Sequence, residues 1–146
     1  MTAVVVDASL AIKWVLAEPY TSQARALLLD WETRNVRRLV PALFASEICA
    51  PLLKRRRQGV LSASLALQAL QVVLTAVEIR PVDGRLAARA YALADQLGFW
   101  KAYDCLYLAL AEDEGCEVWT SDERLWKAAH GLFPWVRWVG EPAQSP

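Results

Sequence analysis

Four acidic residues stand where solubility does not explain them: Asp7, Glu47, Asp104 and Asp122. Asp7 closes a β-branched apolar run at the carboxyl end of a strand expected to be buried, where open α/β sheets bind ligands. It would equally cap a helix beginning at Ala8 or Ser9. Helical spacing sets Glu47 between Leu43, Phe44, Ala50 and Pro51, in an apolar face where a carboxylate needs either an arginine or a metal ion as partner. Asp104 interrupts YDCLYLALAE, a segment expected to be buried and intolerant of an unpaired charge; its other role would be to cap a helix starting at Cys105. Asp122 also follows a predicted strand, although Thr120 and Glu123 are spaced as a capping box that would leave Asp122 only favouring the helix dipole.

The joint pattern says more than any member. Two acids follow strands and two lie on helices that must cover the same sheet, so all four can reach one cleft. Their mutual repulsion is relieved by a hard divalent cation; Mg²⁺ or Mn²⁺ suits oxygen donors, and no His or Cys set has zinc spacing. His130 stands alone and is given no role. Such a site activates water and stabilises the leaving oxygen of an in-line displacement at phosphorus, which predicts phosphodiester hydrolysis without a nucleophilic side chain. The chain has no phosphate-cradling glycine loop and no Ser-His-Asp set. A phosphatase using Asp7 as nucleophile would want a second Asp where Ser9 stands.

The elements that must position these groups alternate along the chain. Strands are expected at residues 2–6, 37–40, 77–80, 118–120 and 135–139. Helices are expected at residues 8–17, from Thr21 to about Thr33, at 43–57, from Ser62 to about Ala76, from Asp83 to Gly98, at 102–112 and from about Asp122. Strands separated by one or two helices predict a three-layer α/β/α sandwich around a mainly parallel sheet of four to five strands. Residues 1–140 form one domain in this reading, with 141–146 a frayed tail.

A chain of 146 residues with 55% hydrophobic and 22% charged residues is expected to fold around a real core. Three cysteines, Cys49, Cys105 and Cys116, read as reduced core thiols. The amino-terminal apolar run is broken by Asp7 and Lys13 and lacks a basic n-region, so secretion and membrane insertion are not expected and a cytoplasmic location is. Net charge is zero, but residues 25–57 hold eight basic and three acidic residues while 95–124 hold eight acidic and two basic ones. One half is thus expected to meet phosphates and the other to collect cations. Lys54, Arg55, Arg56 and Arg57 could guide a nucleic-acid backbone or merely complement a helix C-terminus. Among seven tryptophans, Trp100 is best placed to stack on a base, with core or interface packing its expected role.

VVVDASLAIKW, FASEICAPLLKRRRQG, YDCLYLALAE and WTSDERLW, in this order and spacing across nearly the whole chain, resemble the PIN-domain ribonucleases, particularly the VapC-like toxins of toxin-antitoxin pairs. The resemblance implies an Mg²⁺- or Mn²⁺-dependent endoribonuclease whose acidic site is Asp7, Glu47, Asp104 and Asp122. Asp7 and Asp104 would be the most direct metal ligands, with Glu47 and Asp122 completing the shell or positioning water. Ser9 and Thr120 match small polar positions of the family that hydrogen-bond ligand carboxylates or the scissile phosphate. An RNA substrate, a small antitoxin and a homodimer are implied as partners. One departure stands out: the family's usual Asn three residues after the glutamate is Ala50 here, followed by Pro51. A proline there collides with the Glu47 carbonyl and predicts a kink at the site, and with it the alternative of a weakened scaffold that only binds RNA or protein.

Overall fold

The computed structural model describes residues 2–142. Its strands β1 (Ala3–Val6), β2 (Arg37–Pro41), β3 (Glu78–Arg80), β4 (Val118–Thr120) and β5 (Val136–Trp138) form one parallel sheet in the order β3-β2-β1-β4-β5. The connections are helical: α1 (Ala8–Ala11) and a 3₁₀ turn (Ile12–Trp14), α2 (Thr21–Thr33), α3 (Phe44–Arg57), α4 (Ala63–Thr75), α5 (Gly84–Leu97), α6 (Tyr103–Glu114) and α7 (Glu123–Ala129). All four residues of β1 are buried, which requires cover on both faces of the sheet and accounts for the unbroken β-branched run. This is the expected α/β architecture, with the upper strand number.

The strand order reverses direction at β1: β2 and β3 extend to one side, β4 and β5 to the other. The carboxyl ends of β1 and β4 therefore flank the topological switch point, where such sheets leave a crevice. Register pairs Val5 with Val118 and Val6 with Trp119, so Asp7 emerges opposite Thr120.

Helix α6 is buried at Cys105 and continuously from Tyr107 to Ala111, and it lies against the central strands. Helix α5 covers α6 with Leu86, Ala90, Leu93 and Ala94, a 3.6-residue stripe. Its ends are those expected: Asp83 Oδ1 accepts from Leu86 N at 2.8 Å, and Gly98 takes the left-handed conformation at φ 76°. Ser62 likewise caps α4 through Leu65 N.

Several expectations are corrected. The first helix does not reach residue 17; it tightens to a 3₁₀ turn at Ile12 because Trp14 is drawn under α2, its Nε1 donating to Ala24 O at 3.1 Å. Thr21 does not cap α2. Its hydroxyl donates to Leu16 O and accepts from Glu18 N, fixing the preceding loop, and Tyr20 precedes the helix at φ 68°. Cys49 is exposed, not a core thiol, because it falls on the outer face of α3; Cys105 is buried and Cys116 partly so. Part of the acidic stretch is neutralised by arginines that precede it, since Glu112, Asp113 and Glu114 pair with Arg89, Arg85 and Arg80 at 2.6 Å each. Of the expected tail, residues 143–146 lie outside the described residues, and Glu141 accepts hydrogen bonds from Arg137 Nε and Trp138 N.

Candidate active site

Asp7 leaves β1 into the switch-point crevice and is buried, only 3% exposed. Its backbone carbonyl accepts from Leu10 N and Ala11 N, but its side chain makes no capping bond. The carboxylate turns instead toward β4: Oδ2 accepts from Thr120 Oγ1 at 2.7 Å and from Ser9 Oγ at 3.0 Å. Both hydroxyls are oriented in turn, since Ser9 Oγ accepts from Ser121 N and Thr120 Oγ1 from Asp122 N. Both donors converge on one oxygen, and among the described residues Oδ1 accepts no hydrogen bond. The cap-only role of Asp7 is excluded by this geometry.

Glu47 projects from the first turn of α3 and is half-buried. No arginine meets it. Tyr107 Oη donates to its Oε1 at 2.6 Å, so two helices are tied at the site by a charge-assisted bond. Helix α3 runs on through Pro51 to Arg57. Tyr107 is a site residue that sequence reasoning misses, because a tyrosine in an apolar run reads as core; its spacing of three from Asp104 is the available signal. Burial and the nearby Asp7 and Glu47 charges push its phenol far up, which keeps it a donor.

Asp104 sits in the first turn of α6, with Ala102 as the preceding cap, so it caps nothing. It is half-buried, not enclosed as expected, because the amino end of α6 opens to solvent while the rest of the helix is covered. Asp122 is itself the cap of α7: its Oδ1 accepts from Arg124 N and Leu125 N, and Thr120 holds Asp7 in place of the expected capping box.

The four acids act on one another electrostatically. Burial first, and then the Asp104 and Glu47 charges, raise Asp7 to about 7 against the opposing bonds from Thr120 and Ser9. Glu47 is raised by burial, with Tyr107 opposing and Asp104 adding to the rise. Asp104 is raised by burial and then Asp122, while Arg124 and Lys101 pull it down. Among the described residues no lysine or arginine forms an ion pair with any of the four. Nor do any three carboxylate, histidine or cysteine side chains among them converge as a ready-made metal cage. The donor set is nonetheless all oxygen, mutually repelling and free of direct ion pairs, which is what a hard divalent cation relieves.

The basic run divides. Arg55 is half-buried and pairs with Glu18, which also binds Lys13, each at 3.2 Å. Lys54, Arg56 and Arg57 are exposed at the end of α3.

A parallel sheet reversing at β1, with electrostatically coupled carboxylates after β1, on α3 and α6 and in the β4–α7 turn, has the form of a PIN-type α/β domain, and residues 4–131 match the PIN domain family model; the chain belongs to that family. More particularly, it is 33% identical over 95 residues to ribonuclease VapC3 of Mycobacterium tuberculosis, covering 63% of this chain and 67% of that one. Its fold matches PAE2754 from Pyrobaculum aerophilum with a TM-score of 0.70 at 22% identity, over 94% of this chain and 84% of the other. A toxin-antitoxin complex from Klebsiella pneumoniae matches with a TM-score of 0.65 at 16% identity, over 91% and 94%.

Proposed function

We propose that this chain is a divalent-metal-dependent endoribonuclease and the toxin of a toxin-antitoxin pair. The observation that carries this reading is Asp7: a buried carboxylate given two hydroxyl donors on one oxygen, no cation, and two like-charged neighbours. Such an arrangement costs stability unless it binds something positive. Kinship with ribonuclease VapC3 supports RNA as the polymer cleaved.

In this reading Asp7, through Oδ1, and Asp104 would hold Mg²⁺ or Mn²⁺, with Glu47 and Asp122 completing the shell or positioning water. When bound, the ion supplies an activated water and charge stabilisation for the departing oxygen. The chain's own contributions are orientation and charge. Ser9 and Thr120 fix the plane of the Asp7 carboxylate. Tyr107 holds Glu47 at the crevice. Lys54, Arg56 and Arg57 offer cations to the RNA backbone, with the charge of Arg55 already engaged by Glu18. The weakened-scaffold alternative rests on Pro51; the continuous α3 and the Tyr107 bond to Glu47 weigh for activity.

A small antitoxin is the proposed protein partner, by likeness to the toxin-antitoxin complex. A homodimer is proposed through the apolar outer surface of α4, where Leu65, Leu67 and Val72 are exposed. Kinship with ribonuclease VapC3 supports a cytoplasmic location, where RNA is met; among the described residues no helix is long and apolar enough to cross a membrane. The test is RNA cleavage with Mg²⁺ or Mn²⁺ by wild type and Asp104→Asn: the variant should lose at least about a hundredfold in rate, and equal activity in both refutes the proposal.

A further inference from the structure

Asp104 also lines a second feature, a cleft of about 430 Å³ bounded by Leu97, Phe99, Trp100, Lys101 and Arg124. It is framed by the α5–α6 loop, which turns sharply after Gly98 and presents Trp100 to solvent. Trp100 is 102% exposed, the extreme among the large apolar side chains described, so it packs in no core of this domain. Phe99 beside it is partly buried against the core and forms a fixed apolar wall. Lys101 and Arg124 are exposed and, among the described residues, form no ion pair; both act on the Asp104 carboxyl, pulling it down.

We propose that this cleft seats one unpaired nucleotide of the RNA next to the bond being cut, its base stacked on Trp100 and its phosphate held by Lys101 and Arg124. The inference rests on the nuclease reading and deepens it. An indole face open to water gains by stacking on a planar apolar group, and every base supplies one. A carboxylate cluster repels a phosphodiester, so cations at its rim are needed where the backbone approaches. Asp104 belongs to both the cluster and the cleft wall, which sets the stacked nucleotide directly beside the reacting phosphate. A base can reach Trp100 only when it is unpaired, so single-stranded or looped RNA is the substrate class favoured.

The test reads binding without cleavage. The full chain, in chelator, is titrated with a short oligoadenylate and with an abasic ribose-phosphate strand of the same length. Wild type should bind the oligoadenylate about 5- to 150-fold more tightly than the abasic strand, as stacking of one base predicts. Trp100→Ala should erase that ratio with an unchanged melting temperature, and Trp100→Phe should retain most of it. Lys101→Ala/Arg124→Ala should weaken both strands alike and lower the salt slope by about 0.7 for each phosphate no longer neutralised. A base-dependence that survives Trp100→Ala overturns the proposal. So does a Trp100→Ala variant whose only change is its oligomeric state or its affinity for a protein partner, since Trp100 would then be an interface residue. Because no catalysis is required, failure here is distinct from equal cleavage by wild type and Asp104→Asn, which would overturn the nuclease reading instead.

Discussion

Replacing Asp7 by Asn should remove a pH-dependent instability of the metal-free protein. Burial, ahead of repulsion by Asp104 and Glu47, holds the Asp7 carboxyl at about 7 against an ordinary 3.8. Between those values the folded chain keeps a proton that the unfolded chain has released. Its stability is therefore complete below 3.8 and is lost as pH rises through about 7. At about 1.4 kcal/mol per pH unit, a gap of roughly three units makes the ionised carboxylate cost about 4 kcal/mol above neutrality. That is a large part of the total stability of a domain this size, about 5–15 kcal/mol. Glu47 and Asp104 are raised for the same physical reason and steepen the trend. Urea unfolding in chelator, at about pH 4 and about pH 8, measures it. Wild type should lose about 4 kcal/mol or more across that range; Asp7→Asn should lose far less and be the more stable of the two at the alkaline end. Mn²⁺ should restore wild type there and leave the variant nearly unmoved. Parallel pH profiles for the two proteins would refute the argument that Asp7 is a buried charge awaiting a cation.

Tyr107→Phe keeps the shape of α6 but deprives Glu47 of its donor; it should cost about 1–2 kcal/mol in urea unfolding and move the acidic limb of the cleavage pH profile upward, because that bond opposes the rise that burial imposes on the Glu47 carboxyl. Arg56→Ala and Arg57→Ala should each flatten the salt dependence of RNA binding by about 0.7. Arg55→Ala, with its guanidinium already on Glu18, should leave that slope unchanged, and an equal effect from all three would contradict the division seen in the basic run. At Gly140, an added Cβ would fall within the van der Waals radius of the Trp138 ring, which is itself set between Tyr20 and Trp126. Gly140→Ala should therefore destabilise by about 1–3 kcal/mol, seen as a lower urea midpoint; an unshifted midpoint would mean the ring moves aside freely.

Whatever is decided locally is legible in the sequence. Helix α5 announces itself through its stripe, Asp83 and Gly98, and β1 through three consecutive valines ending in an acid. Asp7 stands out because it adjoins a strand end, where backbone pattern alone fixes position, whereas Ser9 and Thr120 come into view only through the family resemblance. Legibility fails where distant parts of the chain decide. Nothing near Glu47 indicates Tyr107, sixty residues away, as its partner. The short α1 follows from Trp14 reaching under α2, an interaction no local propensity encodes. Asp122 reads as a dipole companion when it is the cap itself, since the capping-box spacing offers Thr120, whose hydroxyl is taken by Asp7. Trp100 is a case where composition offers a core or an interface, and the structure removes the core of this domain from that choice.

The bond from Thr120 to Asp7 joins residues 113 positions apart and has a consequence for how such a protein comes into being. Strand β1 is made first and can pair with β2 early, but its other edge stays open until β4 exists. While the chain is still being synthesised, Asp7 lacks its principal hydroxyl donor, and Asp122 has not yet been made. Until β4 and the turn after it have emerged and docked, the acidic cluster is incomplete. For a protein proposed to cut the cell's own RNA, this topology withholds the complete acidic cluster from any ribosome-bound fragment that ends before β4 and the turn after it.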